Sequence, residues 1–449
     1  MKSLLTAKLT TSASLTTLAT LPLLAANTPA TNDHPNIVII YADDWGWGDL
    51  GIHNSTFVKT PSLDQLAKEG TDFQCFHVNS PVCSPSRTAL ITGQYPVRNR
   101  IYRHFGPLKA TKKRHMPDYL NPKVVTLPRM LQKAGYKTAH YGKWHLCAND
   151  LKDGPTPIDY GYDEYACYSD PFANIKEMGN VSVDKAIEFV KKYKDQKFFI
   201  NLWIHQPHAP HYPQKKWLDK FPNLDEQHKV YAAVLAEADD NIGRLLKTIK
   251  DAGLYDKTLI LFSSDNGPER TVLKSKKKRE GLGLYYSVGE TGGLRGRKRS
   301  LFEGGVGVPF ICRWPGKIPA GKVNKTSIIS AVDLLPTLSA IAGVKLPESF
   351  KPDGENMIDV LEGSNRQRTR SLYWEWSGSA ADEGWPRYSI IDQDWKLVMR
   401  SPTERVELYN LKTDRKETKN VADKYPEKCK ELLKKLNIWI KEIKTPTAK

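Results

Sequence analysis

Asn36-Ile37-Val38-Ile39-Ile40-Tyr41-Ala42 is a short apolar run, β-branched at four of its seven positions, and it ends in the acidic pair Asp43-Asp44. A run of this kind is read as a strand buried on both faces of a parallel sheet. Residues 197–204 (KFFINLWI) and 258–264 (TLILFSS) repeat the pattern, and 136–141 repeat it more weakly. Helical periodicity fills the intervals at 63–69, 127–134, 183–193 and 227–250. Strand, helix and strand in alternation predict an α/β fold: a large, mostly parallel or mixed sheet with helices on both faces. From about Leu346 the texture changes to Pro and charge, then to short aromatic runs at 372–376, 388–391 and 395–399. With a final helix at 427–443, this reads as a smaller α+β domain built on an antiparallel sheet. The aromatic Trp374 and Trp376 are expected in its core.

Composition is consistent with that reading. The chain has 449 residues, 40% of them hydrophobic, with 11 Trp, 20 Tyr and 13 Phe. Such a chain buries enough apolar surface to exclude general disorder. Lys2 and Lys8 followed by an apolar stretch from Leu15 to Ala26 predict an export signal peptide over 1–26. The organisation expected is therefore a leader at 1–26, a large domain at 27–345 and a small one at 346–449. Beyond the leader no run of about 20 apolar residues occurs, so no membrane span is expected. Six scattered cysteines are too few for a disulfide framework, and no CxxC pair supports a zinc knuckle.

The formal charge is +17, and its location is informative. Residues 98–114 hold seven bases and no acid, and residues 270–300 hold ten bases against Glu280 and Glu290. These two segments carry the whole excess once the leader is set aside. Either they are solvated loops, or they attract an anionic partner.

Each strand delivers chemistry at its carboxyl end, where open α/β sheets bind ligands. The first ends in Asp43-Asp44, the weaker one in Gly142-Lys143-Trp144-His145, the third in His205-Gln206-Pro207-His208, and the fourth in Asp265-Asn266-Gly267. Asp43, Asp44, Asp265 and Asn266 offer only oxygen donors, the set that suits calcium or magnesium. An isolated acidic pair would read as a helix cap or turn; two pairs on one sheet edge imply a divalent cation. Cys83 stands at the start of a helix that ends at Gly93, where free N–H groups favour an anion. Alone, such a cysteine would read as a small buried residue.

Cys83-Ser84-Pro85-Ser86-Arg87, continued by Thr88-Ala89-Leu90-Ile91-Thr92-Gly93, resembles the type I sulfatase signature. Asp43-Asp44-Trp45-Gly46, Gly142-Lys143-Trp144-His145-Leu146, His208-Ala209-Pro210, Ser264-Asp265-Asn266-Gly267, Gly296-Arg297-Lys298 and Glu303-Gly304-Gly305 also look like motifs of that family, in family order. The resemblance implies the alkaline-phosphatase-like fold and hydrolysis of sulfate esters, with a sulfated carbohydrate or polysaccharide as substrate. It implies that a separate formylglycine-generating or sulfatase-maturating enzyme oxidises Cys83 to Cα-formylglycine. It further assigns Asp43, Asp44, Asp265, Asn266 and the modified Cys83 to one Ca2+. By the same resemblance the hydrated aldehyde attacks sulfur, His145 assists expulsion of sulfate, and Arg87 steadies the formylglycine. Lys143 and Lys298 match the lysines that grip sulfate oxygens, and His208 matches the acid that protonates the departing alcohol. His205 could take that last role instead, and the choice stays open here.

Other readings are a phosphodiesterase or phosphonate monoester hydrolase of the same superfamily, or a non-catalytic polyanion-binding protein in which Cys83 remains a thiol. No nucleic acid is expected as a partner. Export places the protein in a periplasm or outside the cell, or in a lysosome if the host is eukaryotic. The lysines at 276–278 are expected to overhang the pocket and to meet a polyanionic substrate.

Overall fold

The computed structural model describes residues 34–168, 175–270, 287–378, 385–401 and 406–444. Ten strands belong to the large domain. They are β1 (Asn36–Asp43), β2 (Thr71–Phe73), β3 (Phe76–His77), β4 (Lys137–Lys143), β5 (Glu164–Tyr168), β6 (Phe198–Pro207), β7 (Thr258–Ser264), β8 (Phe310–Arg313), β9 (Lys322–Asn324) and β10 (Ile329–Ser330). Eight of them form one sheet in the order β5-β4-β6-β1-β7-β8-β2-β9. The five from β5 to β7 are parallel, whereas β8 runs antiparallel to both β7 and β2. The sheet is therefore mixed, with a parallel heart, and the antiparallel edge is the part that periodicity alone left unread.

All eight residues of β1 are buried. Ile37, Ile39 and Tyr41 enter one hydrophobic core, and Val38, Ile40 and Ala42 enter the other. That alternation is what a strand covered on both faces by helices requires. The helix Glu226–Asp251 covers one face with Tyr231, Leu235, Ile242 and Leu245. The helix Cys83–Thr92, buried along its whole length, lies under the other face.

Two boundaries differ from the sequence reading, and both concern the site. β4 continues through Gly142 to Lys143, so the lysine is the last residue of the strand and not part of the following loop. β6 continues three residues beyond Ile204, placing His205 within the strand, because a register irregularity between Tyr41 and Asp43 lets Pro207 pair with Asp43. The HxxH sequence is thus strand-then-turn, not a loop throughout.

Four more strands, β11 (Leu372–Glu375), β12 (Tyr388–Asp392), β13 (Trp395–Met399) and β14 (Glu407–Asn410), make an antiparallel meander, followed by the helix Pro426–Lys444. Trp374 and Trp376 are core residues of this sheet. The sheet is joined to the large domain by a buried charge cluster. Lys396 donates to Glu303 at 2.8 Å and lies 3.0 Å from Glu417, while His77 bonds Glu303 at 3.0 Å. No disulfide joins any of the six cysteines. Among the described residues no helix is long and apolar enough to cross a membrane.

Candidate active site

β1, β4, β6 and β7 are neighbours, so their carboxyl ends open at one edge of the sheet. Asp43 is the last residue of β1 and is fully buried. Asp44 turns the chain with φ of 69°, a conformation that costs a residue with a Cβ roughly 1 kcal/mol. The turn is held from β7: Asp44 N–H donates to Asp265 Oδ1 at 3.1 Å, and Trp45 N–H donates to Ser264 Oγ at 2.8 Å. Carboxylate oxygens of Asp43, Asp44 and Asp265 lie within 4.8 Å of one another. Asn266 donates from Nδ2 to Asp44 Oδ1 at 2.7 Å, which leaves its own Oδ1 buried and without a partner. Asp43 Oδ1 is likewise buried and has no hydrogen-bond partner.

Three carboxylates packed this closely repel one another unless cations intervene. Protein cations do so in part. Arg87 donates from Nε and Nη2 to Asp265 Oδ2 at 3.0 and 2.6 Å and reaches to 3.6 Å from Asp43. Its guanidinium lies 4.8 Å above the Trp203 ring. Lys143 Nζ sits 2.5 Å from Asp43 Oδ2, and Lys298 Nζ sits 2.6 Å from Asp44 Oδ2. Burial drives the Asp43 carboxyl up, but Lys143, His208 and Arg87 together hold it well below the usual range. Burial and the Asp43 charge win at Asp265, whose carboxyl is pushed well above its ordinary value despite Arg87. Buried oxygens of Asp43 and Asn266 without hydrogen-bond partners, beside two more carboxylates, fit a divalent hard cation, although His205 and His208 also bring ring nitrogens within 4.8 Å of an Asp43 oxygen.

Cys83 is the first residue of its helix, after Val82, and is nearly buried. A thiolate there would act electrostatically on Asp265, Arg87 and Lys298, which brings position 83 to the same pocket as the acids. His145 has φ of 54° and bonds through Nε2 to the Phe105 carbonyl at 3.0 Å. A carbonyl only accepts, so Nε2 carries the proton and Nδ1, buried and unpartnered, carries a lone pair. Burial and then Lys143 push the His145 pKa well down, which keeps the ring neutral.

His208 and His205 part company here. His208 donates from Nδ1 to the Ala209 carbonyl and turns Nε2 toward Asp44 Oδ2 at 3.8 Å, with 19% of its side chain exposed. Burial lowers its pKa to about 4 against the opposing pull of Asp43. His205 is buried, with neither ring nitrogen partnered, and its pKa is driven well down by burial and then by His208. With His211 these histidines line a cleft that also contains Tyr212 and Glu237.

Sequence reasoning passed over Glu269. It lies 3.6 Å from Lys298 and 2.7 Å from Arg299, and although burial raises its pKa, these two cations bring it down to about 2. Its position three residues after Asn266 offered no periodic signal. The loop of residues 104 and 105 was also missed; it supplies the carbonyl that orients His145. The lysine cluster at 276–278 falls outside the described residues.

The ten residues singled out from the sequence thus meet at one edge: Asp43, Asp44, Cys83, Arg87, Lys143, His145, His208, Asp265, Asn266 and Lys298. Residues 35–344 match the family model described as Sulfatase, and residues 292–445 match one described as N-sulphoglucosamine sulphohydrolase, C-terminal. The chain is 29% identical to human N-acetylgalactosamine-6-sulfatase over 411 residues, covering 77% of this chain and 72% of that protein. It is 31% identical to arylsulfatase G of Rattus norvegicus over 405 residues, with 78% and 73% covered. Among solved structures, Ps i-CgsB in complex with k-i-k-neocarrahexaose superposes with a TM-score of 0.77 at 26% identity, covering 90% of this chain and 92% of that one.

Proposed function

The chain belongs to the sulfatase family and hydrolyses sulfate esters, and from that premise we propose that its substrate is a sulfated carbohydrate, cleaved at the edge where β1, β4, β6 and β7 end. The convergence of three buried carboxylates, an amide oxygen and Cys83 beside two lysines carries this reading.

Asp43, Asp44, Asp265 and Asn266 would hold the cation, which we propose to be Ca2+, with a side-chain oxygen formed when a maturating enzyme oxidises Cys83 to formylglycine. The cation and the modified residue together supply an oxygen nucleophile at neutral pH. The remaining work falls to the chain's own side chains. Lys143 and Lys298 each have three N–H donors, of which one is engaged by Asp43 or Asp44. Their other donors are free to bind sulfate oxygens and to offset charge that shifts during displacement, a contribution of about 10²- to 10³-fold in rate. Arg87 fixes Asp265 by two hydrogen bonds to one oxygen, which leaves the other oxygen facing Asp44.

His145 accepts a proton at Nδ1, since its Nε2–H is committed to the Phe105 carbonyl. His208 faces the pocket with Nε2; because its Nδ1–H is held by the Ala209 carbonyl, it gives a proton to the leaving alcohol only as the imidazolium, with a proton first taken up at Nε2, and its partly exposed ring lies where the departing sugar would enter. Proton transfer of this type contributes about 10²- to 10⁴-fold. His205, packed behind it with a ring separation of 5.4 Å, acts as a neutral wall. Residues 1–26 act as an export leader, and the mature enzyme works in a periplasm or outside the cell. Mass measurement of the peptide containing Cys83, combined with turnover of an aryl sulfate and of sulfated oligosaccharides, tests the proposal. An unmodified thiol in active protein, or turnover of the aryl ester with no sulfated sugar accepted, overturns it.

A further inference from the structure

The basic segment at 98–114 is not uniform once folded. Arg98 is spent on Asp353 and Glu442, at 2.7 and 2.8 Å. Arg100 donates to the His115 carbonyl, and Lys109, Lys112 and Lys113 are exposed on the short helix Leu108–Lys113. Arg103 and Arg114 differ from all of these. They are the two of the seven that are half-buried, and like every base of the segment except Arg98 they have no acidic partner within ion-pair distance among the described residues. Arg103 Nε is buried with no hydrogen-bond partner at all. Arg114 donates once, from Nη1 to the His104 carbonyl at 2.7 Å, and its guanidinium lies over Gly106, where a Cβ would stand 3.6 Å from Nη1.

The two guanidinium groups act on each other electrostatically. Burial lowers the pKa of both, and the Arg103 charge lowers that of Arg114 further. His104 follows Arg103 in the chain, its carbonyl accepts from Arg114 at 2.7 Å, and its ring is 6.5 Å from that of His145. Burial lowers the His104 pKa, and His145, Arg114, Lys298 and Arg103 push the same way. Most donors of these two guanidinium groups have no partner among the described residues, one of them buried, and the backbone beside them carries the ring that faces His145.

We propose that Arg103 and Arg114 form an anion subsite that holds a second anionic substituent of the substrate, a sulfate or a carboxylate, while the ester to be cleaved sits between Lys143 and Lys298. This rests on the sulfated-carbohydrate reading above and specifies it: the preferred sugar bears at least two anionic groups. Planar guanidinium donors match either oxyanion, and each charge-assisted contact in a half-buried setting changes affinity by about tenfold.

The test uses the matured enzyme with an aryl sulfate and three sulfated disaccharides: one with a second sulfate, one with a uronate carboxylate, and one with no second anion. The Arg103→Ala/Arg114→Ala variant is expected to lose about 30-fold or more in kcat/KM on at least one dianionic disaccharide, chiefly through KM. It stays within about threefold of wild type on the aryl sulfate and on the monoanionic disaccharide, and Lys at both positions restores part of the loss. Loss confined to the disulfated or to the uronate substrate says which oxyanion is held, and either supports the subsite. Equal losses on every substrate, or none on either dianion, overturn it. Inhibition of aryl sulfate turnover by dianionic against monoanionic disaccharides needs neither cleavage of the sugar nor a folded variant. Wild-type enzyme is expected to prefer the dianion by about tenfold at low salt, and no preference refutes the subsite. Failure to cleave any sulfated sugar, with that preference intact, refutes the carbohydrate reading of the hydrolytic site alone.

Discussion

Replacing Lys143 by Met should weaken the enzyme as a catalyst while making it bind Ca2+ more tightly. Lys143 Nζ and Asp43 Oδ2 are 2.5 Å apart, and both side chains are fully buried. Removing one partner of such a pair leaves an uncompensated buried charge, at a cost of about 3–5 kcal/mol. Met fills the space without the charge, so in the presence of a chelator the whole cost falls on the folded state. Unfolding entropy of about 2.1 cal/mol/K per residue gives roughly 0.8 kcal/mol/K for about 400 ordered residues, so Tm should drop by about 4–6 °C. With saturating Ca2+ the ion supplies the missing positive charge at Asp43, and most of that deficit disappears. The Ca2+-induced rise in Tm is therefore larger in Lys143→Met than in the wild type. By linkage the variant binds the ion more tightly, since a cation that competed for the same oxygen has gone. Turnover of an aryl sulfate should fall by about 10²- to 10³-fold at the same time, because a donor to the sulfate is missing. Thermal melts and calorimetric Ca2+ titrations of both proteins, with activity measured in parallel, decide the matter. Equal or smaller Ca2+ stabilisation in the variant would refute the reasoning, since Lys143 would then not be neutralising a metal ligand.

Cys83→Ala should retain the fold and the Ca2+-dependent shift in Tm, reduced by one ligand, yet show no sulfate-ester turnover above background; measurable turnover would remove position 83 from the chemistry. His145→Gln keeps a donor for the Phe105 carbonyl but has no lone-pair nitrogen, so kcat should fall by about 10²- to 10⁴-fold with KM little changed, as steady-state kinetics will show. Lys396→Met gives a pH-dependent stability change away from the site. Burial raises Glu417 to about 7 even though Lys396 opposes it and Glu303 adds to it. A carboxyl raised in the folded state stabilises the fold below its unfolded pKa, and that contribution is lost as pH rises through about 7. Without Lys396 the folded pKa climbs further, so the deficit in Tm, already present at pH 5 because Glu303 stays ionised there and loses its partner, should grow by several degrees at pH 8; a constant deficit across that range contradicts the assignment.

Much of this molecule was legible before folding, because its signals are local. Residues 36–42 declare a doubly buried strand through continuous apolar β-branched side chains, and the helices between strands follow from their period. The antiparallel strand β8 and the three-residue strands β2 and β9 escaped notice, since strands that short carry no period. Of the site, the acids and lysines at strand ends were readable because open α/β sheets collect ligands there. Glu269 and the 103–106 loop were not, because a side chain that acts through a partner some thirty or forty residues away has no signature of its own.

The amino-acid order by itself therefore determined which chemical groups are present and which strands carry them. Tertiary structure alone decided their partners. Sheet order brings Asp43 beside Lys143 and Asp44 beside Lys298, at separations of 100 and 254 residues. A bond to the Phe105 carbonyl selects the His145 tautomer, and a register irregularity in β6 sends His205 into the core while His208 faces the opening. Among the seven bases at 98–114, only Arg103 and Arg114 are half-buried, on either side of the residue whose ring faces His145. Charge counting could not separate them, because a charge acquires a role from what lies within a few ångströms of it, and that distance is set by packing.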